Sequence, residues 1–160
     1  MANWCEGCIK VRGEFENVKR FFVEGTTCYK FDFDKMENIP DTESVEIIAD
    51  NNNEFYRKYH EETHINGTIR AFLRGVVEIY RPERNKKIIA VLPFRQAWAI
   101  DADSFVEISK KYNVDIKILG FDKGMQFSQE VVVIKGELIK DKEKKYRSWE
   151  WDCPFPHLGG

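Results

Sequence analysis

The feature that most limits the fold of this chain is a pair of helical apolar stripes set among segments that alternate as strands do. In residues 14–24, Phe15, Val18 and Phe22 recur at intervals of three and four. This spacing gives a helix one apolar side, and residues 104–112 repeat it. The sequence therefore predicts two amphipathic helices, each of which needs an apolar surface to cover.

Strand patterns predict that surface. Residues 114–119 alternate apolar with charged or polar side chains, as a sheet with one covered face requires. Lys135-Gly136 predicts a two-residue hairpin turn between residues 130–134 and 137–140. Pro93 cannot donate to a sheet ladder, so we expect an edge position or a bulge there. Further strands are predicted for residues 4–12, 28–33, 75–81 and 87–98.

Residues 34–66 are predicted to form an insertion outside the sheet. One helix is expected from about residue 41 towards residue 49. A second is expected over residues 54–62, where Phe55 and Tyr59 are four residues apart. Acidic residues dominate this block, so the sequence predicts an acidic insertion.

Together these elements predict an α+β fold class. The order strand, helix, strands, helix, strands suits a ferredoxin-like antiparallel sheet with two helices on one face, plus the acidic insertion. A chain of 160 residues is large enough for one domain, predicted here as residues 1–147. The tail, residues 148–160, carries Trp149, Trp151 and Phe155. These side chains are expected either to pack across the sheet or to anchor an interface.

The sequence also predicts the cellular location of the protein. The sequence contains no run of about 20 apolar residues, the length that spans a bilayer. Its first residues lack the basic and apolar regions of a secretory signal. We therefore expect a cytoplasmic protein with no membrane partner. Its cysteines are then expected to stay reduced: Cys5, Cys8, Cys28 and Cys153.

Three short segments together resemble a known family. They are Met1-Ala2-Asn3-Trp4-Cys5, Phe94-Arg95-Gln96-Ala97-Trp98, and Gly124-Met125-Gln126-Phe127 before the final hairpin. In order and spacing they resemble the YubB ferredoxin-like family of phages and conjugative plasmids. The resemblance implies a ferredoxin-like fold, an origin in a phage or other mobile genetic element, and no established enzymatic activity. This sequence departs from the family at its Trp-Gly-Thr-Lys-Trp segment, where Asn66-Gly67-Thr68 is the nearest equivalent.

The sequence contains two patterns of potential metal ligands, and each has a simpler interpretation. Cys5 and Cys8 have the spacing of half a zinc site, but residues three apart on a strand point to opposite faces. Two structural thiols in the first strand are the expected alternative. His60-Glu61-Glu62-Thr63-His64 matches the His-Glu-x-x-His pattern of helical metalloproteases, although no third ligand follows nearby. The sequence predicts no enzyme, no metal and no cofactor, with a metal hydrolase at His60, Glu61 and His64 as a minor alternative.

The distribution of charge is the remaining signal. Net charge is only -2, yet acidic residues dominate residues 32–62 and basic residues dominate residues 70–95. An acidic surface can dock on the basic surface of a nucleic-acid-binding protein, because complementary charge steers association. The residues predicted to make this contact are Glu43, Glu46, Asp50, Glu54, Glu61 and Glu62.

Family context and charge together give the expected function. We expect a phage or mobile-element protein that binds a host protein without catalysis, as an inhibitor of a nucleic-acid-guided defence complex (anti-CRISPR-like). The alternative is a nucleic-acid-binding module that contacts phosphates through a basic sheet face. A third interpretation is that the two charged zones neutralise each other within the fold. The residues of the alternative nucleic-acid site are Arg70, Arg74, Arg81, Arg84, Lys86 and Lys87.

Overall fold

A computed structural model of the protein describes residues 3–43 and 45–160, with residues 60 and 61 described by their backbone alone. This part of the chain forms ten strands and three helices. The strands are β1 Trp4–Gly13, β2 Thr26–Asp32, β3 Glu37–Pro40, β4 Val45–Asp50, β5 Glu54–Ile65, β6 Ala71–Tyr80, β7 Ile88–Ala97, β8 Asp115–Asp122, β9 Phe127–Ile134 and β10 Glu137–Lys145. The helices are α1 Phe15–Glu24, α2 Ala102–Tyr112 and α3 Trp149–Asp152.

The strands form one antiparallel sheet in the order β10-β9-β8-β1-β7-β6-β5-β2-β3, with β4 also beside β5. Strand β1 pairs along nearly its whole length with β7 on one side and β8 on the other. Ile9 therefore lies between Leu92 and Ile118, and all three side chains are buried. The predicted hairpin is confirmed, since β9 and β10 are joined at Lys135-Gly136.

Alternation along the strands divides the sheet into two faces. Ile9 and Val11 lie on the face that α1 and α2 cover, which we call the helix face. Phe21 of α1 and Tyr112 of α2 meet above it, with ring centroids 5.7 Å apart. The opposite side of the sheet, which carries Lys10, is called the open face. One apolar core therefore contains both helices and the buried side of the sheet.

Helix α2 contains the predicted residues 104–112 and begins two residues earlier, at Ala102. The carboxylate of Asp101 accepts a hydrogen bond from the backbone N–H of Ser104 at 3.4 Å, which satisfies a donor that the helix leaves unpaired. Asn113 ends the helix in the left-handed conformation, with a φ of 52°. Phe105 and Ile108 are buried in the common core, as their spacing predicts.

The ladder between β6 and β7 is short. Among the described residues, only 71–73 on β6 pair with 94–96 on β7. Pro93 comes directly before this ladder on β7 and has no N–H to donate, while the neighbouring Gly75 of β6 has a φ of 108°, which favours glycine. Residues 88–93 of β7 pair with β1 but not with β6, so Pro93 lies at an edge, which is one of the two predicted alternatives. The ladder with β1 passes through Pro93 without a register shift, so the other alternative, a bulge, is not observed. Helix α1 contacts both β6 and β7.

The predicted fold class is wrong. The chain does not form a ferredoxin-like α+β sheet with an acidic insertion, because its ten described strands form a single, much larger antiparallel sheet. Three strands of that sheet, β3, β4 and β5, come from the described part of residues 34–66. The two helices expected within this block are strands. The fold that the YubB resemblance implies is therefore not the fold observed.

Strand β5 shows why the sequence wrongly predicted a helix over residues 54–62. Phe55 is fully buried, and the hydroxyl of the buried Tyr59 lies 3.2 Å from the Thr26 hydroxyl. Residues four apart share one side of a strand as well as one side of a helix. The spacing of Phe55 and Tyr59 is therefore compatible with both structures, and pairing with β2, β4 and β6 decides for the strand.

The tail packs over one end of the open face. Trp149 is buried with Phe121, Tyr146 and Cys153 in a second, smaller apolar cluster. The Trp149 indole N–H donates to the carbonyl of Pro156 at 2.8 Å. None of the helices in the described ranges is long and apolar enough to cross a membrane.

Replacement of Phe55 tests whether β5 belongs to the core. Phe55→Ala is expected to lower the free energy of unfolding by about 3–5 kcal/mol, because it removes a fully buried ring. The matched control is Phe33→Ala, since Phe33 is 80% exposed and should leave the stability nearly unchanged. Urea denaturation of both variants provides the measurement. Equal, small effects would show that β5 lies outside the core.

Candidate functional site

A row of aromatic side chains crosses the open face. Tyr29 on β2, His64 on β5, Phe72 on β6 and Trp4 on β1 follow one another, with ring centroids 6.3, 5.6 and 6.0 Å apart. Tyr29 is exposed, and the other three side chains are half-buried. We call these four side chains the aromatic patch. It spans the short ladder between β6 and β7, which joins the part of the sheet that contains β6 to the part that contains β7.

Arginine side chains complete this surface. Arg95 of β7 lies opposite Phe72, and its guanidinium is 4.0 Å from the centre of the Trp4 ring. The guanidinium of Arg70 lies 5.2 Å from the same ring. A guanidinium near an indole ring is favourable by about 0.5–2 kcal/mol. Arg95 also forms an ion pair with Glu62.

A groove of about 270 Å³ lies beside the aromatic patch. The tail forms part of its wall through Leu158, and the carboxylate of Glu6 accepts a hydrogen bond from the N–H of Gly159 at 3.1 Å. Both apolar and charged groups therefore face the groove. They include Phe72, Pro93, Leu158, Arg74, Arg95, Glu6 and Glu62.

A row of lysines crosses another part of the open face. Lys140 on β10 lies opposite Val132, Val132 lies opposite Lys117, and Lys117 lies opposite Lys10 on β1. We call Lys140, Lys117 and Lys10 the lysine row. Because adjacent strands are about 4.8 Å apart, the row spans about 14 Å from β10 to β1. Alternation adds Lys142 to the same face of β10.

Like charges directly opposite each other on neighbouring strands are destabilising. Lys10 and Lys117 form such a pair. Glu130 partly compensates, since it lies 3.5 Å from Lys117 and 2.6 Å from Lys140, and the pKa of Glu130 is lowered chiefly by the hydrogen bond from Lys140. Among the described side chains, none forms an ion pair with Lys10. Glu130 supplies one negative charge against the three positive charges of the row, so the lysine row keeps a net positive charge that suits an external anion.

Asp115 lies on the open face, two residues from Lys117 on β8 and opposite Arg12 of β1. Burial alone would raise the pKa of Asp115, but the Lys135 N–H, Arg12 and Lys87 outweigh burial and hold the pKa below its ordinary value. The carboxylate accepts from Lys135 at 3.0 Å and pairs with Arg12 at 2.8 Å and with Lys87 at 3.6 Å. Arg12 and Lys87 are therefore already partnered within the fold.

The basic residues predicted to bind nucleic acid are only partly brought together. Arg70 and Arg74 lie at the aromatic patch and its groove. Arg81 instead forms an ion pair with Glu16 of α1. Lys87 pairs with Asp115, as described above, and Arg84 and Lys86 lie in the exposed connection before β7.

The acidic residues predicted to contact a host protein are spread over several surfaces. Asp50 forms an ion pair with Lys19 of α1, whereas Glu62 pairs with Arg95 at the groove. These two carboxylates are partnered by different parts of the fold.

The remaining acidic residues lie elsewhere. Glu43 is exposed before β4 and lies 3.7 Å from Lys30. Glu46 lies on β4 opposite Lys58, and Glu54 begins β5. The side chain of Glu61 lies outside the described residues. The acidic run in the sequence therefore does not correspond to one continuous described surface.

Among the potential metal ligands whose side chains are described, His64 and Cys5 lie on opposite faces of the sheet. His64 lies on a strand, with its Nε2 3.1 Å from the carbonyl of Thr68, so the pattern of a helical metalloprotease does not occur on a helix here. The side chains of His60 and Glu61 are not described. Cys5 is buried on the helix face, where burial raises the pKa of its thiol to about 12. Within the described ranges, no group of three or more potential ligands occurs.

Sequence reasoning missed most of this surface. The aromatic patch combines residues from four strands that are distant in the sequence. From the sequence alone, His64 is considered only as a metal ligand and Trp4 only within a family-like segment, and neither Tyr29 nor Phe72 is singled out. A signal was nevertheless present in strand-like alternation of charge and aromatic character. It occurs in Lys10-x-Arg12, Phe72-x-Arg74 and Lys140-x-Lys142-x-Lys144.

Comparisons with known proteins give no match. No protein-family model matches the chain, and no curated protein or solved structure matches it. The resemblance to the YubB family rests on its three short segments alone and stays a prediction. We therefore infer a function from the geometry of the open face.

Substitution of Asp115 tests the electrostatics of the open face. Because the folded-state pKa is lowered, the ionised carboxylate stabilises the fold above its unfolded pKa of about 3.9, and this contribution disappears as the pH falls through the folded pKa. At pH 7, Asp115→Asn should lower the free energy of unfolding by about 1–3 kcal/mol. The difference from the wild type should shrink as the pH falls below about 3.9.

The control for this experiment is Asp34→Asn, because Asp34 is exposed in a turn. Denaturation curves of both variants and of the wild type, measured from pH 7 to below about 3.9, give the comparison. A loss for Asp115→Asn that stays constant down to the lowest pH would contradict the assigned role of its charge.

Proposed function

We propose that the protein binds nucleic acid on the open face of its sheet, without a catalytic step. The observation that carries this proposal is the lysine row, in which Lys10 and Lys117 lie directly opposite each other. The two amines repel each other in the free protein, and this cost is relieved when each of them pairs with a phosphate of a bound nucleic acid.

The aromatic patch supports the same proposal from an independent direction. Nucleic-acid-binding sheets combine cations for phosphates with aromatic rings on which bases stack. Trp4 and Phe72 supply such rings on the open face, and Arg70, Arg74 and Arg95 lie beside them. The helix face offers no comparable surface among the described residues, because α1 and α2 cover it.

Removal of two cations from the lysine row tests the proposal. In the double variant Lys10→Gln/Lys117→Gln, the two charges that face each other across β1 and β8 are lost. We expect this variant to bind a fluorescent 20-nucleotide single-stranded DNA more weakly than the wild type does at low salt. The slope of log affinity against log salt should decrease in magnitude by about 1.4, since each phosphate contact to a single strand contributes about 0.7. Fluorescence anisotropy over a series of salt concentrations provides the slope.

The matched control removes the same charge from the other side of the molecule. Lys110→Gln/Lys111→Gln changes two side chains on α2 that face solvent. If both double variants bind equally, or if the wild type fails to bind at low salt, the proposed function is wrong. The control should retain the salt slope of the wild type.

The expectation of a host-protein inhibitor stays a prediction. Its test is charge reversal at Glu43, Glu46 and Asp50, which should abolish capture of the host partner while the fold survives. The acidic residues named for this contact are divided between several surfaces, whereas the cations of the lysine row lie in one register. The geometry for this reason favours the nucleic-acid interface.

A further inference from the structure

The groove beside the aromatic patch has the size of a site for a small planar group. Its volume of about 270 Å³ lies just below the range of about 300–1,000 Å³ that holds drug-sized ligands. One heterocycle, rather than a folded chain or a paired duplex, suits this space. The walls combine the Phe72 ring with the side chains of Pro93 and Leu158.

Charged groups at the groove match the edge of a nucleobase. The carboxylates of Glu6 and Glu62 each accept one bond within the protein, from Gly159 and Arg95 respectively. A carboxylate has about four acceptor positions, so both retain capacity for the amino group of a base. Arg74 is exposed at the rim, where it can donate to a base carbonyl or a phosphate.

The groove lies on the same face of the sheet as the lysine row. Glu6 and Lys10 are four residues apart on β1, which places the groove about 13 Å along the strand from the lysine row. Both lie on the open face, since Glu6 and Lys10 share one side of β1. A strand of nucleic acid that enters the groove can therefore continue over the lysine row.

We propose that this groove binds one unpaired base, with Phe72 as the stacking ring and Arg74 at the rim, and that the ligand is consequently single-stranded nucleic acid. The inference rests on the proposed function and specifies its ligand class. A base in a duplex is stacked and paired, so it cannot enter the groove without being extruded, which costs a few kcal/mol. Single strands present their bases without this cost.

The first arm of the test compares ligands. A fluorescent 12-nucleotide single strand and the same strand paired with its complement are titrated with the full-length protein at low salt. We expect the single strand to bind at least about 10-fold more tightly than the duplex, because only the single strand can fill the groove.

The second arm compares variants. Phe72→Ala should weaken binding of the single strand by about 5- to 100-fold, the range for loss of one stacked base, and should leave the weak duplex binding unchanged. Tyr80→Ala is the matched control, because Tyr80 lies on the same side of β6 but does not line the groove. Arg74→Gln supplies a second variant at an exposed position, in case Phe72→Ala is poorly folded.

The outcomes separate the two proposals. If single strand and duplex bind equally, and neither Phe72→Ala nor Arg74→Gln weakens the single strand, the base site is wrong. The lysine-row variant would then still test phosphate binding on its own. If neither nucleic acid binds the wild type, the proposed function itself fails.

Discussion

The pairing of β1 with both β7 and β8 is the constraint on which the rest of this structure depends. Successive side chains of a strand point to opposite faces of its sheet, and the pairing of β1 on both sides fixes which residues face the helices. Ile9 and Val11 are buried under the helices, while Lys10 between them is exposed on the open face. A shift of one residue in this register would bury Lys10 and expose its apolar neighbours.

The β6–β7 ladder ends next to Pro93, and the aromatic patch of the open face lies at this ladder. Strands β6 and β7 pair over three residues only, and this short ladder includes the pair Phe72 and Arg95. The aromatic patch therefore lies across the junction between the two halves of the sheet. On the other side of the sheet, α1 contacts β6 and β7, and residues from both halves share one apolar core. The core holds the junction in place, and the open face remains available above it.

The sequence was informative where a pattern had a single interpretation. The alternation in residues 114–119, the turn at Lys135-Gly136 and the apolar stripe of residues 104–112 each predicted a local structure that is observed. In residues 34–66 the pattern was ambiguous, because Phe55 and Tyr59 share a side in either a strand or a helix. Pairing between distant strands decided the fold there, and local spacing does not contain that information.

The candidate site was less predictable for the same reason. Runs of charge along the sequence suggested continuous acidic and basic surfaces, but alternation in strands sends neighbouring residues to opposite faces. Glu62 and Arg95, from runs of opposite sign, are partners at the groove. Lys10, Lys117 and Lys140 come from three separate segments and meet only through the sheet register.

The most direct test of the central claim is a two-dimensional ¹H–¹⁵N NMR titration of the protein with a 12-nucleotide single-stranded DNA. The account predicts shifts in the Trp4 indole N–H, the Arg95 side-chain N–H and backbone amides of β1, β7 and β8, with little change in α1 and α2. Shifts concentrated on α1 and α2, or no shifts at low salt, would contradict the assignment of function to the open face.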